Sequence, residues 1–249
     1  MSARVVPLQQ FSHHPAIPPP IELELISSAP HACPYLADRL ATLRAFSATQ
    51  MPPELYHRFM DASFRRSGDF FYQPVCLGCR ECKPIRIPVA QFRPSKSQRR
   101  CERRNSDLNI SIAAPKITEE KFALYARYVE LWHGRNDATF DELESFLYVS
   151  PVESLEFEYR DTGGQLLAVG ICDFGSRYLS SVYFYFEPSE STRGLGTFGI
   201  LREIEFARQR RIRHYYLGYF VAACGSMSYK AFFRPNEILC GDGIWRDLG

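Results

Sequence analysis

Three cysteines recur every third residue in Cys76-Leu-Gly-Cys79-Arg-Glu-Cys82. Thiolates at that spacing can wrap one soft ion, and Cys33 is the candidate fourth ligand of a zinc or iron–sulfur centre. The competing reading is a tight turn at Gly78 with reduced thiols packed around it. Cys101, Cys172, Cys224 and Cys240 are dispersed. Without a secretion signal, reduced thiols or metal ligands are expected rather than disulfides.

Basic side chains cluster as well. Nine basic and two acidic residues lie between Arg80 and Arg104, a patch that favours a polyanion. Within it, Arg93-Pro-Ser-Lys96-Ser-Gln-Arg99-Arg100 offers Lys96, Arg99 and Arg100 to phosphates, or else is a polar connector. Phe64-Arg65-Arg66-Ser67-Gly68-Asp69 places paired arginines at an expected helix end, where they can fork onto a carboxylate or phosphate, or merely cap the helix. Lys230 and Arg234 lie one helical turn apart and suit an acidic partner or a plain charged surface. Tyr215-Tyr216-Leu217-Gly218-Tyr219 reads equally as an aminoacyl slot or a core strand. No nucleophile–base triad is evident, and the histidines lack metal-type spacing.

The elements that position these residues follow from periodicity. Ile21 to Ile26 alternates as a short strand. Pro53 opens a helix with Leu55, Phe59 and Ala62 on one face and a stop at Gly68. Strands are expected at Phe70–Tyr72 and Pro84–Val89. A second unit starts near Asn109, with a strand at Ile110 to Ala113. Thr118 caps a helix there, with Glu119 and Glu120 in its first turn. Another helix covers Phe140 to Tyr148. Alternating strands follow from Leu155 to Phe186, joined by turns at Thr162-Gly-Gly and Gly175-Ser. The loop Arg193-Gly-Leu-Gly196, a helix carrying Ile200, Ile204 and Ala207, a strand from His214 and a helix at Ser226–Phe233 complete the order. That order is the one of the acyl-CoA-dependent N-acetyltransferase fold, in which the glycine-containing loop binds pyrophosphate through free N–H groups.

The chain has 249 residues, 45% hydrophobic and 23% charged, with net charge +2, 14 Tyr and 19 Phe. Such aromatic content excludes a disordered chain. No apolar run is long enough to span a bilayer, and the proline-rich N-terminus has no apolar signal core. The expected location is the cytoplasm, with no membrane partner.

Taken together and in order, several stretches resemble the bacterial aspartate/glutamate leucyltransferases, relatives of the arginyl-tRNA–protein transferases. The stretches are Cys33-Pro-Tyr-Leu36, Phe64 to Asp69, Cys76 to Arg86, Ser95 to Arg99, Ser181-Val-Tyr-Phe-Tyr185, Leu217-Gly-Tyr219 and Met227 to Pro235. The resemblance implies an α+β chain with an arm (1–30), a smaller N-terminal domain (31–108) and an N-acetyltransferase-like (GNAT-like) mixed-sheet domain (109–249). It implies leucine transfer from Leu-tRNA to proteins with N-terminal Asp or Glu, with Arg-tRNA as the alternative donor and no cofactor required. Leu36 stands where relatives have a second cysteine, and Trp132-His133 where many leucyl members have Arg-His. On this reading Tyr183, Tyr185 or Tyr229 relays a proton, a bulged strand N–H near Tyr183 to Phe186 holds the oxyanion, and Arg65, Arg66, Lys230 and Arg234 meet the acidic acceptor. The competing functions are an acetyl-CoA-dependent N-acetyltransferase and a non-catalytic RNA-binding module.

Overall fold

The computed structural model describes residues 23–248; residues 21 and 22 of the first expected strand, and most of the arm, lie outside them. The chain begins with β1 (Ile26–Ser27), β2 (His31–Ala32), β3 (Leu40–Ala41), β4 (Leu43–Ser47), α1 (Pro53–Asp61), β5 (Arg65–Ser67) and β6 (Phe70–Pro74). β1, β4, β6 and β5 form a four-stranded sheet in that order. α1 buries Tyr56, Phe59 and Met60. With Phe46, Phe64 and Phe71 they make an aromatic core in which Phe46 stacks on Phe71 at 5.1 Å.

The helix stops earlier than expected, and the arginine pair is not at its end. Ser63 adopts φ +71, a left-handed conformation that turns the chain back on itself. Arg65–Ser67 then pairs with β6 as a strand. Gly68, φ +59, makes the hairpin, and a Cβ there would sit 2.5 Å from the Ser145 carbonyl oxygen.

The chain continues through β7 (Lys83–Pro88), α2 (Lys96–Arg104), β8 (Asn109–Ala113), α3 (Glu119–His133), α4 (Phe140–Leu143) and a π-helical turn to Tyr148. β9 (Ser154–Arg160), β10 (Leu166–Phe174) and β11 (Tyr178–Phe186) follow, then α5 (Leu195–Gln209), β12 (His214–Phe220), α6 (Gly225–Ser228), a 3₁₀ turn at Tyr229–Phe232, β13 (Glu237–Leu239) and β14 (Trp245–Asp247). The large sheet has the order β14-β13-β7-β12-β11-β10-β9-β8. β8 to β11 form an antiparallel meander; α5 then crosses over so that β12 returns parallel to β11. This is the GNAT-like topology. α3 packs on one face and α5 on the other, so β10 is buried on both sides.

Two departures bear on the site. β7 lies within residues 31–108 yet sits between β13 and β12 in the large sheet, so the two units share that sheet. The stretch expected to offer cations to phosphates, or else to be a polar connector, is a helix: Ser95 accepts from the Gln98 N–H while the Gln98 side chain accepts from the Ser95 N–H, a capping box. Among the described residues no helix is long and apolar enough to cross a membrane.

The small sheet is tied to the large one by an ion pair. Arg66 donates from Nε and Nη2 to both Asp173 oxygens at 2.9 and 2.6 Å, and neither side chain is exposed. Ser154 adds a third bond to Asp173 at 2.8 Å. Removing one partner strands a buried charge, so Asp173→Ala should lose about 3–5 kcal/mol in urea unfolding. A loss below about 1 kcal/mol, the range of an exposed pair, would show that the two sheets are held by packing alone.

Candidate functional site

β11 and β12 pair at only three positions, Tyr178–His214, Leu179–Tyr215 and Ser180–Tyr216, and then diverge. On β11, Ile171 faces Tyr183 and Cys172 faces Ser181, which leaves Val182 as an extra residue in a β-bulge. It falls one residue before the expected stretch. On β12 the ladder to β7 breaks between Tyr216 and Tyr219, where Gly218 takes φ +77, a conformation that suits glycine. The result is a wedge. Past Ser180, no strand among the described residues pairs with the β12-facing edge of β11. Fixed backbone donors of this kind can hold a developing oxyanion.

Two buried cations stand behind the β12 wall. Arg65 lies over the rings of Tyr216 and Tyr219 and donates to the carbonyls of Phe64 at 2.7 Å and Gly218 at 3.3 Å. Its Nε has no hydrogen-bond partner. Lys230 donates to the Tyr219 carbonyl at 2.7 Å. They are 5% and 8% exposed, and no carboxylate pairs with either among the described residues. Burial, and then the neighbouring Arg65 charge, lower the Lys230 ammonium to a pKa of about 7. Buried cations normally have anionic partners, and this pair has none among the described residues.

The expected site residues thus divide. Arg65 and Lys230 meet at the wedge, although they are 165 residues apart in sequence. Arg66 does not join them, because Asp173 and the Gly68 carbonyl take its donors. Arg234 is exposed and bonds the Ala231 carbonyl at 3.3 Å. Tyr185 is fully buried with its hydroxyl 3.0 Å from that of Tyr148. Tyr183 is half-buried against Phe146 and Tyr125. Burial raises the pKa of both. Tyr229 follows β12 and is 38% exposed, the most open of the three.

α2 adjoins the same region. Gln98 donates to the Phe232 carbonyl at 3.2 Å, and Asn105 to the Arg193 carbonyl at 3.0 Å. Its buried face therefore spans from the last turn to the start of α5, while Lys96, Arg99, Arg100, Arg103 and Arg104 face outward. The loop expected to suit pyrophosphate packs against this helix. Arg193 is paired with Asp107 and Glu190, and the Cys101 thiol lies against the Arg193 and Gly194 carbonyls. Its arginine is spent inside the protein.

Cys76, Cys79, Cys82 and Cys240 border a cavity of about 350 Å³, and Cys33, Cys76 and Cys82 border a second of about 530 Å³ with Tyr35, Tyr72 and Tyr219. The Cys76 thiol is engaged with the Thr42 backbone. Burial and the neighbouring thiols push Cys82 up to about 12. Among the described residues no three His, Cys, Asp or Glu side chains are placed to hold a metal. No step is routed through a metal centre.

Two residues of this region were not expected from the sequence. Asp173 carried no motif. Glu203, fully buried on α5, had a readable sign: it interrupts the apolar face of Ile200, Ile204 and Ala207.

Residues 31–100 match the family model described as "Arginine-tRNA-protein transferase, N terminus", and residues 120–240 match "Arginine-tRNA-protein transferase, C terminus". The aspartate/glutamate leucyltransferase of Hahella chejuensis is 40% identical over 85% of this chain and 92% of that protein. That of Halorhodospira halophila is 38% identical over 90% and 97%. Among solved structures, a conserved protein of unknown function from Bacteroides thetaiotaomicron aligns with TM-score 0.48 and 11% identity over 65% of this chain and 60% of that one. The C-terminal domain of a lysylphosphatidylglycerol synthetase from Agrobacterium fabrum aligns with TM-score 0.44 and 14% identity over 71% and 54%.

The unpaired lysine has a consequence for stability. Its folded pKa, about 7, lies below the value of about 10.4 in an unfolded chain. Between those values the unfolded state binds more protons, so stability contributed at this site rises with pH through that window and is lost as pH falls toward 7. Urea unfolding from pH 6.5 to 9 should show this rise in the wild type and a flatter profile in Lys230→Met. Identical profiles would place the lysine's titration in its ordinary range.

Proposed function

The chain belongs to the arginine-tRNA–protein transferase family, and from that premise we propose that it moves leucine from Leu-tRNA onto proteins whose first residue is Asp or Glu. The observation that carries this reading is the pair of buried cations with no carboxylate partner among the described residues, Arg65 and Lys230, held against the Gly218 and Tyr219 carbonyls of β12. An acidic acceptor supplies the missing anion, and its α-amine is then held near the ester. The names of the relatives supply the donor and acceptor classes. Use of charged tRNA assigns the reaction to the cytoplasm.

The reaction is aminolysis. The acceptor nitrogen attacks the ester carbonyl carbon, the carbonyl oxygen takes up negative charge, and the tRNA 3′-terminal ribose leaves. The ester is already activated, so transfer needs no resident cofactor. Free α-amino groups have a pKa of about 7.7–8.0. A nearby cation lowers it by disfavouring the ammonium form, so Arg65 and Lys230 keep the nucleophile neutral while they hold the side-chain carboxylate. Backbone donors at the Val182 bulge stabilise the oxyanion, and Tyr229 is the best-placed expected tyrosine. The exposed face of α2 carries the tRNA backbone up to the wedge.

Labelled Leu-tRNA and Arg-tRNA offered with peptides starting in Asp, Glu, Asn or Lys test this reading by product mass. Leucine on Asp and Glu peptides is expected. Arginine transfer without leucine transfer would reassign the donor. Loss of one charged hydrogen bond to a carboxylate is worth about 2 kcal/mol, so Lys230→Met should reduce kcat/KM for Asp peptides roughly thirty-fold. KM for Leu-tRNA should be unchanged. An equal loss for Asp and Asn peptides would remove the lysine from acceptor reading.

The tRNA surface is tested by salt. Neutralising Arg99 and Arg100 should reduce the slope of log affinity against log salt by about one to two units. The rate on saturating tRNA should change little. An unaltered slope would move the tRNA off α2.

A further inference from the structure

We propose that the cavity of about 530 Å³ on the small sheet receives the second residue of the acceptor, so that the preferred substrates begin with Asp or Glu followed by a large apolar residue. The inference rests on the transfer reading above and adds a second position to its acceptor class.

The floor of this cavity is one face of the small sheet. Ile26 on β1 pairs with Ala45 on β4, Ala45 with Tyr72 on β6, and Tyr72 with Arg65 on β5. Paired residues of antiparallel strands share a face, so these four form one row across the sheet. The neighbouring row, Phe46, Phe71 and Arg66, points the other way, into the aromatic core and onto Asp173. Ile26, Ala45 and Tyr72 line the cavity, and Cys33 and Tyr35 border it from the segment between β2 and β3. Arg65 ends the row.

Tyr219 joins the cavity to the cation pair. It lines the cavity, and its ring centroid is 5.4 Å from the Arg65 guanidinium. Its hydroxyl donates to the Ser63 carbonyl at 2.6 Å, which fixes the ring, and its own carbonyl accepts from Lys230. Packing alone does not account for the space. A sheet face normally packs on another layer. This one keeps a hollow in the size range of small-ligand sites, about 300–1,000 Å³. Ile26, at the end of the row away from Arg65, is 55% exposed, so the hollow opens to solvent on that side.

The row sets what the acceptor's second position meets. With the acidic side chain at Arg65 and Lys230, a peptide leaving over the floor crosses strands about 4.8 Å apart and advances about 3.3 Å per residue. The residue after the acid therefore comes over Tyr72 and Ala45. The ring and methyl group there suit an aromatic or long aliphatic side chain. A lysine at this position is disfavoured: no Asp or Glu lines the cavity among the described residues, and the nearby cation pair repels a further cation.

The test is kcat/KM at saturating Leu-tRNA for peptides that begin with Asp and carry Phe, Leu, Ser or Lys next, the rest of the sequence held constant. Phe and Leu should exceed Ser and Lys by about tenfold. Ala45→Phe fills the floor and should bring the four values together; Ala45→Leu serves if that variant does not fold. Wild-type values that do not depend on the second residue would overturn the proposal, and continued preference for Asp over Asn peptides would leave the transfer reading standing. A Phe preference that survives in the folded filling variant would place its recognition elsewhere and overturn the proposal too. A raised KM for Leu-tRNA in that variant would do the same, by seating the donor in the cavity. A wild type that transfers no amino acid to any acidic peptide from any charged tRNA would overturn the transfer reading itself.

Discussion

Two parallel strands that pair for three residues and then part leave backbone groups that something else must satisfy. The other features of the site follow from that divergence. A bulge at Val182 turns one strand aside, and a left-handed Gly218 turns the other. On the other side of β11 the β10–β11 and β9–β10 ladders are long, and β10 is buried on both faces.

Electrostatics divide the roles of the two neighbouring arginines. Arg66 and Asp173 neutralise each other and fasten the small sheet to the large one. Arg65, the next residue in the same strand, has no such partner and stands with Lys230 behind the wedge. Neighbouring residues of one strand point to opposite faces, so one arginine serves the joint and the other the cleft. Holding two like charges in a buried place costs stability. α2 extends the same logic outward, with its cations in solvent where they attract a polyanion without desolvation.

Much of the fold was legible because periodicity is local. The Thr118 cap, the meander from β9 to β11 and the helix with Ile200, Ile204 and Ala207 all follow the expected order. The helix α2 was also readable, since Ser95 and Gln98 spell a capping box. The strand at Arg65–Ser67 was hidden by a single backbone angle at Ser63, which no residue preference announces. The site was legible in membership more than in role. Lys230 and Arg65 were both candidates, yet only folding shows that Arg66 is spent on Asp173 and Arg65 is not. Asp173 and Glu203 lie in buried segments where a lone acid has meaning only through partners distant in sequence.

The central claim is that the aminoacyl ester and the acidic acceptor meet in the wedge between β11 and β12. The most direct measurement is a crystal structure with a non-hydrolysable donor, leucine amide-linked to a 3′-amino-adenosine, and a peptide beginning with Asp. The account predicts the leucyl carbonyl against the open edge of β11 near Val182 and the Asp carboxylate within hydrogen-bond reach of Lys230 or Arg65. A donor seated in the cavity bordered by Cys33, Tyr35 and Tyr72, with the wedge empty, would contradict it.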